Sequence, residues 1–126
     1  MAKSYAIVIG AVLTLVGILG FVRGQAGMTM MGMSLQFSLI HNLIHLVSGL
    51  AGLALGFASG GKNARVFAQI FGVVYTLVAL LGFVNAPGFV ITMLNLNTGY
   101  NLIHLVVGLL GLLAGFAAPG QKPATA

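Results

Sequence analysis

A chain of 126 residues is one domain's worth, yet only 4% of it is charged and 60% is hydrophobic, whereas water-soluble domains carry roughly 25% charged residues. Its five cations (Lys3, Arg23, Lys62, Arg65 and Lys122) face no Asp or Glu, and there is no Cys. This composition excludes an ordinary soluble protein, carboxylate dyads and glycosidase pairs, carboxylate-held Ca²⁺ or Mg²⁺, thiolate zinc, iron–sulfur clusters and cysteine nucleophiles.

Four uncharged apolar stretches follow one another, at about residues 5–22, 35–58, 66–84 and 97–117. A helix needs ~20 residues to cross a ~30 Å hydrocarbon core, and each stretch is long enough. The first carries Gly10, Thr14, Gly17 and Phe21 at helical spacing and lacks a small-x-small cleavage site, so it reads as a retained helix. The loop after it holds four of the six methionines, Met28, Met30, Met31 and Met33. Such thioethers either pack against a partner or headgroups, or bind Cu(I), with His41 as a further ligand.

The second stretch places Asn42, His45, Gly49, Gly52 and Gly56 on one helix face, and Gly60-Gly61-Lys62-Asn63 then reads as a turn. The third carries Gly72, Thr76, Ala79 and Phe83. The loop at residues 85–95 is apolar and is expected to lie in the interface or dip back along the bundle. The fourth stretch aligns Asn101, His104, Gly108, Gly111 and Gly115, and residues 118–126 read as a disordered tail.

The halves repeat. Residues 13–22 match 75–84 at an offset of 62, and 42–50 match 101–109 at an offset of 59. The expected fold is therefore an all-α integral membrane four-helix bundle, a single domain over 1–126. Two tandem hairpins, 5–58 and 66–117, are related by a pseudo-two-fold axis along the membrane normal. Small residues at helical spacing allow close approach in lipid. The second and fourth helices are expected at the centre, packed through Gly49, Gly52, Gly56, Gly108, Gly111 and Gly115. Lys3, Lys62, Arg65 and Lys122 lie on one side and Arg23 on the other, which places both termini in the cytoplasm. A pI of about 10.3 does not signal nucleic acid here, because the cations are few and scattered.

Each hairpin has a helix ending Leu-Gly-Phe-Val followed by Asn-x-x-His-Leu-x-x-Gly, at Asn42–Gly49 and Asn101–Gly108. This pattern, over residues 5–117, resembles an uncharacterised bacterial "domain of unknown function" family of small four-span membrane proteins. The resemblance implies a bacterial inner membrane protein and no established activity; an internal photosynthetic membrane is the other location considered.

A histidine within a span is a candidate functional residue. With no carboxylate in the chain, nothing internal holds either ring charged. One reading of His45 and His104 is structural: with Asn42 and Asn101 they form a buried polar network that fixes the bundle's register. The other is axial ligation of a haem between them, or of a chlorophyll by one of them on the outside surface. His41 and His45, four residues apart, share one flank and could chelate a metal. His41 and its repeat counterpart Tyr100 are otherwise read as interfacial anchors.

No catalytic triad or phosphate-cradling loop is present, so enzyme activity is not expected. The leading expectation is an accessory or structural subunit, in contact with lipid and either with other membrane subunits or with copies of itself. The alternatives are tetrapyrrole binding through His45 and/or His104, and Cu(I) binding by the Met loop. No cofactor is required by the leading reading.

Overall fold

The computed structural model describes residues 1–58, 62–85, 88 and 93–117. Among these, four long helices carry the fold: α1 (Ala2–Arg23), α2 (Leu39–Phe57), α3 (Lys62–Phe83) and α4 (Thr98–Phe116). Their lengths of 22, 19, 22 and 19 residues correspond to about 28–33 Å at ~1.5 Å per residue. All four are apolar enough to span a membrane. The tail at 118–126, residues 60 and 61 of the expected turn and most of the second loop lie outside the described residues.

Helix ends depart from the apolar stretches where local chemistry is stronger than hydropathy. α1 stops at Gly24, whose φ of 59° and ψ of −150° form a backbone conformation essentially restricted to glycine. The second helix begins at Leu39, four residues later than expected. Ser38 caps it, its Oγ accepting the His41 amide at 3.2 Å, and Met33–Leu35 is spent in a strand. Asn97 caps α4 in the same way, its Oδ1 accepting the Tyr100 amide at 3.1 Å. α3 begins earlier than expected: Lys62 and Asn63 open the helix instead of making a turn. This brings Arg65 to the end of α4, where its Nε donates to the Gly115 carbonyl at 2.9 Å. The Gln69 carboxamide donates to the same oxygen at 3.0 Å, so a carbonyl in the last turn of α4 gains partners that its own helix cannot supply.

A short antiparallel hairpin, β1 (Met28–Met30) and β2 (Met33–Leu35), follows α1 and was not expected. Its two-residue turn has positive φ at both centres, 51° at Met31 and 76° at Gly32. That pair is the type I′ geometry matching strand twist.

The intimate contacts lie within hairpins, α1 on α2 and α3 on α4. Glycine makes them possible. A Cβ at Gly10 would lie 2.6 Å from the Leu53 amide nitrogen and 2.9 Å from the Gly49 oxygen. A Cβ at Gly72 would lie 2.7 Å from the Gly111 carbonyl carbon and 3.1 Å from the Gly108 oxygen. Gly49 faces Thr14, Gly108 faces Thr76, Gly52 meets Gly10 and Phe67, Gly111 meets Gly72 and Tyr5, Gly56 meets Ile7, and Gly115 meets Gln69. Phe21 and Phe83 do not continue the packed stripes; they are exposed, and Gly20 and Gly82 take those places against Asn42 and Asn101.

The expectation that the second and fourth helices form the backbone centre is corrected. Between hairpins the backbones of α1 and α3 approach most, while α2 and α4 are farther apart. The interior is filled from the sides, by Tyr5, Leu13, Phe67, Phe71 and Tyr75 among small Ala6, Ala64, Ala68 and Ala79. The Tyr5 hydroxyl donates to the Val107 carbonyl at 2.9 Å and ties α1 to α4. The wide separation of α2 and α4 leaves room for large rings between them.

Candidate functional site: a buried histidine cluster

His41 and His45 leave α2 on the same flank because they are four residues apart. His104 comes from α4. Both His45 and His104 lie six residues past the first residue of their helix, Leu39 and Thr98 respectively. That is ~9 Å along the axis, shallower than a helix starting at residue 35 would place His45. The three rings converge: one nitrogen from each lies within 4.8 Å of the others, and all three residues are buried. The His41 ring centre is 4.2 Å from that of His45 and 5.8 Å from that of His104.

Tyrosines complete the ring cluster. Tyr100 stands 4.9 Å from His41, and Tyr75 of α3 meets His104 edge-on at 5.1 Å, centre to centre. The expectation that His41 and Tyr100 anchor at the membrane interface is overturned, since they are only 3% and 4% exposed and point into the bundle. The chain folds over them: Leu35 and Phe37 pack on Tyr100, whose hydroxyl donates to the Gln36 carbonyl at 2.6 Å. The end of the second loop returns to the bundle. Leu94 is buried and borders the same cavity as His41. The Ser38 hydroxyl donates to the Met93 carbonyl at 3.3 Å, Asn97 Nδ2 to the Ser34 carbonyl at 2.8 Å, and Asn95 Nδ2 to Gln36 Oε1.

The expected Asn–His hydrogen-bond network does not form. Asn42 Oδ1, Asn101 Oδ1, His45 Nδ1 and His104 Nδ1 are all buried without hydrogen-bond partners. The two carboxamides sit in the notches of Gly20 and Gly82, where a Cβ would overlap them.

The cluster opens onto a cavity of about 120 Å³, bounded by His41 and His104 with Ile44, Val74, Tyr75 and Val78. That is far smaller than a tetrapyrrole, and the His41 ring packs beside both of the other two. A haem between His45 and His104 does not fit this arrangement. Neither ring reaches the outer surface, so ligation of an external chlorophyll has no free imidazole.

The methionines are divided. Met28, Met30 and Met33 share one face of the hairpin with Leu35, as the pairing register requires. Met28 packs with Leu35, Phe37 and Tyr100, and Met33 lies on Gly99 at the start of α4. Met31 stands apart at the turn, 89% exposed. Through Met28 and Met33 this face packs against the start of α4 beside Tyr100.

Sequence reasoning identified His45 and His104 and noted the His41–His45 spacing. It missed the joining of all three, and it missed Tyr75. The i, i+4 pair was the available signal. What it lacked was the register between hairpins, in which the Tyr5 hydroxyl of α1 bonds the Val107 carbonyl one turn from His104 and Phe71 stacks on Tyr75. No curated protein and no solved structure matches the chain. Residues 3–117 match the family described as Domain of unknown function (DUF4383), and the chain belongs to that family.

Proposed function

We propose that this protein is a small multi-pass subunit of a bacterial plasma membrane, packing laterally against other membrane subunits or against copies of itself. In this reading the two hairpins are related by a pseudo-two-fold axis along the membrane normal, and both termini are cytoplasmic. The supporting observation is a division of labour between helix faces. Packed glycines, the three histidines and the rings of Tyr5, Phe67, Phe71, Tyr75 and Tyr100 occupy the inward faces, and long aliphatic side chains such as Leu15, Val47, Leu77 and Leu109 are exposed on the outward ones. An open groove of about 300 Å³ between α3 and α4, lined by Ile70, Val73, Val74 and Phe116, offers a foothold for a neighbouring helix. Close glycine contacts within each hairpin favour a rigid packing unit over a pore.

The test is native mass spectrometry of the protein extracted from its own membrane in mild detergent. The expected result is a species heavier than the 12.9 kDa chain, either with defined co-purifying subunits or as a homo-oligomer. A uniform monomer would overturn the proposal.

A further inference from the structure

We propose that His41, His45 and His104 form a three-imidazole binding site for a copper(I) ion. Two observations carry it. First, the donors converge from two helices: one nitrogen from each ring lies within 4.8 Å of the others. Metal–nitrogen bonds of ~2.0–2.1 Å place bound nitrogens about 3.3–3.6 Å apart, so small ring rotations close the site around an ion. Second, His45 Nδ1 and His104 Nδ1 are buried with no hydrogen-bond partner, an arrangement that costs free energy unless something partners those nitrogens.

The charge of the ion follows from the surroundings. The chain offers no carboxylate or thiolate to neutralise a cation. The N-terminal, positive ends of α2 and α4 lie within two turns of the rings. The cost of burying an ion rises with the square of its charge. Imidazole suits copper and zinc alike, but Zn²⁺ on three histidines keeps a fourth position for water or another ligand. Cu⁺ carries half the charge and is satisfied by three donors. The 120 Å³ cavity beside His41 and His104 leaves room for a small neutral molecule at the open face of the ion. The site is distinct from the methionine hairpin, whose sulfurs pack over the bundle end or stand in solvent.

The experiment uses the full chain in mild detergent, titrated anaerobically with Cu(I) against a colorimetric Cu(I) chelator, with Zn(II) titrated in parallel. One equivalent of Cu(I) is expected to be retained. Single substitutions His41→Leu, His45→Leu and His104→Leu should each weaken it about 10- to 100-fold or more, with helical circular dichroism reporting that the variant is folded. A chain with Met28, Met30, Met31 and Met33 all changed to Leu should retain the ion. X-ray absorption of the Cu(I)-loaded wild-type protein, which needs no variant to fold, should show nitrogen scatterers only. Sulfur scattering, unchanged binding in a folded His→Leu variant, preference for Zn(II) over Cu(I), or no retention of Cu(I) by the wild-type chain would each overturn the assignment.

Discussion

Glycine at a helix contact is not one device but two, and the neighbours of each position decide its energetics. A methyl group at Gly10 meets only backbone: the Leu53 nitrogen, the Gly49 oxygen and the Gly52 carbonyl carbon. Backbone cannot rotate away, so the helices must separate. A methyl at Gly20 meets the Asn42 carboxamide, a side chain that can swing and whose oxygen has no hydrogen bond to lose. Gly10→Ala is therefore expected to destabilise the hairpin by about 1–3 kcal/mol, the usual cost of overpacking, and Gly20→Ala by clearly less. Reversible unfolding in mixed micelles measures both, and equal costs would contradict the distinction. Such pairings decided what the sequence could reveal. The small-residue stripes were legible because helical spacing is read from one chain segment alone. The assignment of Phe21 and Phe83 to those stripes failed because the partner surface, Asn42 and Asn101 lodged against Gly20 and Gly82, belongs to another helix. His41 failed likewise: an amphipathic ring near a helix start reads as an interface anchor until the neighbouring helix brings His104 and Tyr100 to it.

At the scale of elements, four helices were visible in composition, whereas their ends were set by polar groups that hydropathy does not count. Ser38 and Asn97 start α2 and α4 by capping, and Arg65 belongs to α3 because its guanidinium reaches the Gly115 carbonyl. The β-hairpin was hidden because three of its six strand residues are Met and its turn is Met31-Gly32, not one of the favoured pairs. Met31 holds a φ of 51°, a conformation that ordinary L-residues take at a cost and Asn tolerates. Met31→Asn is expected to stabilise the hairpin by about 0.5–1 kcal/mol, a fraction of the 1–2 kcal/mol left-handed penalty. Hydrogen exchange of the Met28–Leu35 amides should slow by several-fold. Unchanged or faster exchange would argue against a type I′ turn in the membrane-bound protein.

For the whole molecule, the absence of acidic residues leaves the cations as an unopposed guide to orientation. α1 ends at Arg23 and α3 begins at Lys62, so the α1–β1 connection and the start of α3 lie at opposite ends of their helices if all four cross the bilayer. The histidine cluster then sits near the Arg23 end, away from the end carrying Lys3, Lys62 and Arg65. Placing that cationic end in the cytoplasm follows from the bias of Lys and Arg toward the side that is not translocated. The chain contains no Cys, so a single introduced thiol reports its own position against no background. Thr29→Cys and Asn63→Cys leave every cation in place, and both positions are exposed. In intact cells, a membrane-impermeant maleimide is expected to label position 29 and to leave position 63 unmodified until the membrane is permeabilised. The reverse pattern would invert the topology and put the copper(I) site at the cytoplasmic face. Labelling of both in intact cells would mean that α1 and α2 do not cross the bilayer as a pair.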